Sequence, residues 1–195
     1  MLKLLFVFAS ACILACGSSA TAPSKTTAPA PTAPAADPAF VPIPPDTPVR
    51  IRIGNLGCVL VLPSAKWTVS EERMADGSPY LKIDLTDTSF SLIVYAIANP
   101  DGVPIEQRLE GERNVFLADP SINISPVADV GNGRWAFTME SQAEHGGLVR
   151  GKVYAVPIPG RNDAFFLMAA MGLAPDYEAT EDAVTGILDS IELAQ

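Results

Sequence analysis

Residues 49 to 195 carry two kinds of apolar pattern. Val49-Arg50-Ile51-Arg52-Ile53 and Tyr80-Leu81-Lys82-Ile83-Asp84-Leu85 alternate apolar and polar positions, which predicts half-buried strands. Cys58 to Leu62 and Phe90 to Ala98 are continuous or near-continuous apolar runs, better suited to buried strands. Between them, Lys66-Trp67-Thr68-Val69 leads into Glu71 to Met74. Asp76-Gly77-Ser78-Pro79, Thr86-Asp87-Thr88 and Asn99-Pro100-Asp101-Gly102 read as turns. A meander follows further on. Ile122 to Val130 and Arg134 to Glu140 are joined by Gly131-Asn132-Gly133, which can supply the positive φ angles of a tight hairpin. Leu148 to Ile158 comes next through His145-Gly146-Gly147, then Asp163 to Met171 through Pro159-Gly160-Arg161-Asn162.

Two segments change to the helical period. In the first, Asp101 or Gly102 can cap, Pro104 suits the first turn, and Ile105, Leu109, Val115 and Phe116 mark an apolar face that ends at Asp119-Pro120. In the second, Pro175 to Leu193, the apolar face is Tyr177, Val184, Ile187, Leu188 and Ile191. Asp176, Glu178, Glu181 and Asp182 occupy its first turns, where the helix dipole favours negative charge. The expected fold class is α+β: a mainly antiparallel sheet of roughly six to nine strands flanked by two helices, in a single domain.

Two short motifs in this domain resemble the PsbP/DcrB-like superfamily. Leu62-Pro63-Ser64-Ala65-Lys66-Trp67 is similar to its P-x-x-W opening, and Gly186-Ile187-Leu188-Asp189-Ser190-Ile191 to its closing I-L-x-S-I. The resemblance implies a binding or assembly module, often lipid-anchored or facing a membrane complex, and usually not an enzyme. It carries over no functional residue, and the Asp/His metal cluster of some extrinsic photosystem proteins has no counterpart here.

The N-terminal residues follow other rules. Lys3 precedes Leu4 to Leu14, an apolar run that at roughly 1.5 Å per residue falls well short of a hydrocarbon core of about 30 Å. It therefore reads as the h-region of a signal peptide, residues 1 to 15. Ile13-Leu14-Ala15-Cys16, followed by Gly17-Ser18-Ser19, resembles the lipobox of bacterial lipoproteins. That resemblance implies diacylglycerol on the Cys16 thiol, cleavage before Cys16 and acylation of the new amine, by palmitate or a similar chain. A thiolate is the side-chain nucleophile suited to such alkylation, and several acyl chains meet the requirement for stable anchoring. The alternative is an ordinary signal peptide that leaves Cys16 free. Cys12 is the poorer candidate because Ala9 stands where the branched residue belongs. Gly17, rather than aspartate, points to the outer membrane and a periplasm-facing domain.

From Cys16 to Pro48 the composition shifts to proline, alanine, threonine and serine, with only Lys25, Asp37 and Asp46 charged. Such a segment cannot offset the entropy of ordering, so a spacer is expected, with a maximal reach of roughly 100 Å at about 3.1 Å per residue. Pro31-Thr32-Ala33-Pro34 and Pro42-Ile43-Pro44-Pro45 leave a PxxP-type ligand as the alternative.

All but Lys3 and Lys25 of the 13 basic residues, and all but Asp37 and Asp46 of the 22 acidic ones, lie in residues 49 to 195, which thus hold the whole formal charge of −9. That balance argues against nucleic acid as a partner and against docking on an anionic membrane surface, and it keeps a lipid-tethered domain soluble. His145, the only histidine, lies in a hairpin loop, and one histidine with one remaining thiol makes a poor zinc site. Cys58 has no disulfide partner once Cys16 is acylated and reads as a small buried hydrophobe; the sharper alternative is a Cys58–His145 nucleophilic pair. Asp84 and Asp87 are either turn-capping residues or a carboxylate pair for acid/base or calcium chemistry. Asn123-Ile124-Ser125 matches a glycosylation pattern without meaning in a bacterial lipoprotein. Trp67 and Trp135 read as core or rim aromatics. No cofactor or metal is expected. The leading expectation is a non-enzymatic envelope lipoprotein that binds or assembles with a protein or envelope partner. The alternatives are a small-molecule or lipid carrier with a pocket between sheet and helix, and a hydrolase.

Overall fold

The structure is a computed structural model that describes residues 46–53, 58–144 and 146–193. Cys16, the signal peptide, nearly all of the spacer, and His145 lie outside the described residues. The elements, in chain order, are β1 (Val49–Ile53), β2 (Cys58–Leu62), β3 (Trp67–Arg73), β4 (Pro79–Leu85), β5 (Ser91–Ala98), α1 (Ile105–Phe116), β6 (Asn123–Ile124), β7 (Ala128–Gly131), β8 (Arg134–Gln142), β9 (Leu148–Pro157), β10 (Ala164–Leu173), α2 (Ala174–Asp189) and β11 (Glu192–Leu193). The fold is α+β, as the sequence patterns imply. Neither helix is long and apolar enough to cross a membrane.

Eight strands form one antiparallel sheet in the order β3-β4-β5-β10-β9-β8-β6, with β7 also paired to β8. The edge formed by β6 and β7 is interrupted at Ser125 and Pro126. There the Ser125 N–H bonds Thr138 O (3.1 Å) and the Thr138 N–H bonds Ser125 Oγ (2.9 Å), bridging a position where proline has no N–H to give. The hairpin between β7 and β8 turns on Gly131, Asn132 and Gly133, with φ of 88°, 55° and 71°. A second sheet, β1-β2-β11, has three strands.

The large sheet separates two cores. On one face Trp67, Ile83, Phe90, Leu92, Val94, Tyr154, Phe166 and Met168 pack under α2 and under Ile53, Cys58, Leu60 and Leu62 of the small sheet. On the other, Ile93, Phe137, Val153, Phe165, Leu167 and Ala169 pack under Leu109 and Phe116 of α1. The helices thus lie on opposite faces, and Ala164 to Ala170 of the central β10 are buried without a break. Phe116 and Phe137 meet with ring centroids 5.8 Å apart. Each fully buried phenylalanine contributes about 1.5–3 kcal/mol of transfer free energy.

Three details of the helices differ from the sequence expectation. Neither Asp101 nor Gly102 caps α1: Pro104 holds the N-cap position without a side-chain cap, Asp101 pairs with Arg108, and Gly102 turns the chain at φ 61°. Val115 is 39% exposed, because the inward stripe runs through Ile105, Leu109, Glu112 and Phe116. The last helix stops at Asp189, and Glu192 and Leu193 pair with β2 instead of continuing it.

Both motifs that resemble the PsbP/DcrB-like superfamily are structural joints. Leu62 to Trp67 carries the chain from the small sheet to the large one, where Trp67 meets Phe90 edge-on at 5.7 Å. In the closing motif, Ile187 and Leu188 enter the core. Ser190 Oγ accepts the Val61 N–H (2.8 Å) and bonds Ile187 O (2.7 Å), joining the end of α2 to β2. The start of α2 is clasped similarly: Asp176 accepts from Ser89 N (2.8 Å) and Ser89 Oγ (2.6 Å), which holds its carboxyl below the usual range.

Candidate binding surface

Strand register aligns one row of side chains across the α1 side of the large sheet. Met139 pairs with Gly151, Gly151 with Met171, Met171 with Ser91, Ser91 with Asp84, and Asp84 with Thr68. Because side chains alternate across a strand, all six positions project to the same face. At the apolar end, Gly151 leaves a depression between the two methionines; an added Cβ would come within 3.2 Å of Met139 Cε and of Ala170 O. Ile122, Ser141, Val149 and Arg150 complete its lining, and its volume of about 10 Å³ has room for about one water. A lipid or metabolite does not fit there.

At the polar end, Ser91 Oγ donates to Asp84 Oδ1 (2.5 Å) and Lys82 Nζ donates to Asp84 Oδ2 (2.8 Å). Both carboxylate oxygens are engaged and the ammonium balances the charge, so Asp84 is held as a structural acceptor. Asp87 stands apart in the turn at φ 65°, and no bond joins it to Asp84 among the described residues. The alternative of a carboxylate pair does not form; Thr86 and Thr88 shape that turn through Lys66 O and Leu85 O.

Next to this row lie groups that sequence reasoning missed. Tyr80 is 8% exposed and donates to Glu72 Oε2 (2.5 Å); burial, then Glu72, pushes its pKa up to about 12. Tyr95, half-buried, is raised by burial and by Glu112. Glu112 is raised by its own burial against the sheet. Its spacing from Leu109 and Phe116 was the available signal, since a glutamate three and four residues from buried apolar positions shares their face. Trp135, also half-buried, borders the same core, whereas Trp67 belongs to the opposite one.

Cys58 is buried on the α2 side of the molecule, as expected of a small hydrophobe. Burial raises its pKa, with Arg161 opposing, which is the reverse of nucleophile activation. Among the described residues, no group of three or more potential ligands could hold a metal ion.

No protein-family model matches the sequence, and no curated protein matches it either. Solved structures do match the fold. The Ran-binding protein Mog1p of Saccharomyces cerevisiae aligns with a TM-score of 0.53 at 9% identity, covering 76% of this chain and 96% of that one. LpqN, involved in cell envelope biogenesis of Mycobacterium tuberculosis, gives 0.49 at 17% identity over 76% and 91%. Cyanobacterial PsbP (CyanoP) from Synechocystis sp. PCC 6803 gives 0.47 at 11% over 80% and 98%. This chain shares the fold of Mog1p, and at these identities the likeness extends to fold alone.

Proposed function

We propose that this protein is a lipid-anchored, non-enzymatic binding module of the bacterial cell envelope, and that it engages a protein partner through the α1 side of its large sheet. The observation that carries this reading is the division of the two faces. The chain from the Cys16 anchor joins the domain at β1, which packs on the α2 side. The α1 side is therefore turned away from the tether, and it presents half-exposed Tyr95, Ile97, Met171 and Trp135, with Met171 opposite Ser91 of the Lys82–Asp84–Ser91 cluster. Aromatic residues and methionine are favoured at protein interfaces. Mog1p, called a Ran-binding protein, is a case in which this fold serves a protein partner, although fold alone does not define a partner. The sequence after Cys16 favours the outer membrane and the periplasm.

Site-specific photo-crosslinking in the native host tests the proposed face. A photoreactive residue at Thr68 or Tyr95 is expected to give one discrete adduct, and the same residue at Ala179 or Asp182 of α2 none. Equal adducts from both faces, or none from either, would reject this face as the docking site.

A further inference from the structure

The two edges of the large sheet are built differently. At one, β6 has two residues, Pro126 interrupts the path to β7, and β7 shifts register between Asp129 and Gly131. Short strands, proline and bulges are the usual obstacles to strand addition at an edge. At the other edge, β3 pairs with β4 over seven residues without a register shift and contains no proline. Thr68 to Glu71 and Arg73 are exposed, Val69 at 37%, so little of the molecule covers this strand beyond Trp67. Two bonds flanking β3 fix which way its backbone groups point. The Thr86 N–H donates to Lys66 O (3.0 Å), and the Met74 N–H to Ser78 O (2.9 Å). Antiparallel bonding alternates along a strand, so Thr68, Ser70 and Glu72 bond β4, whereas Val69, Glu71 and Arg73 turn N–H and C=O outward. No hydrogen bond takes those outward groups among the described residues. The edge is also locally neutral, since Lys66 and Arg73 balance Glu71 and Glu72, and the charge of −9 lies off it.

We propose that a second copy of this chain adds at β3, antiparallel about a two-fold axis normal to the sheet, and joins the two large sheets edge to edge. Outward-bonding residues must face outward-bonding residues, which leaves few registers. Centring on Glu71 or on Glu72 sets a glutamate against itself, and like charges directly opposite are destabilising. Centring on Val69 carries Arg73 past the end of the facing strand and loses its bonds. Centring on Ser70 uses all seven residues of β3: Val69 faces Glu71, Thr68 faces Glu72 and Trp67 faces Arg73 of the second copy. The Trp67 N–H is turned to Ser64 O, but its carbonyl still accepts from Arg73. Glu72 then lies diagonal to Lys66 of the second copy, a separation that long side chains span. The contact is isologous, so each of these bonds forms twice. The axis leaves both α1 sides facing one way and both β1 strands the other. With the proposed anchor at Cys16, both tethers therefore run to one membrane; the strand pairing itself does not depend on that anchor.

Disulfide capture tests the pairing and its register. Ser70 sits on the axis at a non-hydrogen-bonded pair, where Cα atoms approach to about 4.5 Å, within the range a disulfide spans. In the full-length protein, Ser70→Cys is expected to give a covalent dimer under mild oxidation. A mixture of Thr68→Cys and Glu72→Cys chains should give a heterodimer. Arg73→Cys, exposed on the same strand, and the wild type, whose Cys58 is buried, should give none. Sedimentation of the full Cys16→Ser chain reads the equilibrium without the anchor. Dimer should grow with salt, which screens the charge of −9 on each copy. Glu71→Pro should weaken it by on the order of tenfold, because two hydrogen bonds are lost from the pair. The Glu71 N–H points away from β4, so this proline spares the β3–β4 ladder, and Ser70→Cys capture keeps the test independent of how that variant folds. Absence of capture at Ser70, or capture at Arg73 as readily as at Ser70, overturns the inference. So does a Cys16→Ser chain that stays monomeric at every salt concentration.

Discussion

Replacing Ser190 by alanine removes one hydroxyl from the joint where α2 ends. The Val61 N–H loses its acceptor at 2.8 Å, and Ile187 O loses a bond at 2.7 Å. A buried donor left without a partner costs about 1–3 kcal/mol. Both residues are only half-buried, so water partly replaces the hydroxyl and the low end applies, about 1 kcal/mol. For a domain of this size that lowers Tm by about 2–4 °C. Circular dichroism melts of Ser190→Ala against Ser70→Ala measure the effect; Ser70 is exposed on β3, where substitutions typically stay within about 0.5 kcal/mol. Amide exchange adds a local readout, because Val61 and the β2–β11 pairs should lose protection before the rest of the sheet. If the two variants melt together and Val61 exchanges as slowly as before, Ser190 does not join helix to sheet in the way described.

Two further expectations concern titratable groups. The Glu112 pKa is raised by burial, so the stability of its protonated form is fully present below the ordinary glutamate value of about 4.3 and is lost as pH rises through the higher folded value. Glu112→Gln should therefore melt with the wild type in acid and above it at neutral pH; a variant that melts lower at neutral pH would mean the carboxylate is usefully paired. The Cys58 thiol, buried and raised in pKa, should resist a thiol reagent in the native protein and react fully in denaturant. Native labelling at the rate of a free thiol would contradict the packing of β2.

Most of the sheet was legible because its strands differ in how they are buried. β5 and β10, sandwiched between two cores, are apolar almost throughout, whereas β1, exposed on one side, and β4, with half-buried Lys82 and Asp84 on one side, alternate. β11 was not legible, since two residues carry no period, and a helical spacing that ended on Ile191 invited extension of α2. Val115 reads as inward because it is a valine beside a phenylalanine, whereas the helical period gives that place to Glu112. For the candidate surface, composition named Asp84 but not its neighbours. Ser91, Met171 and Gly151 reach the same row only through strand register, which is a property of pairing and not of any local motif.

The central claim is a domain tethered by lipid at Cys16, and intact-mass and N-terminal peptide measurement of the membrane-extracted protein tests it most directly. The account predicts a mature chain that begins at Cys16 and carries the mass of a diacylglycerol thioether and an acyl amide. A chain that begins elsewhere, or a Cys16 with a free thiol, would contradict it.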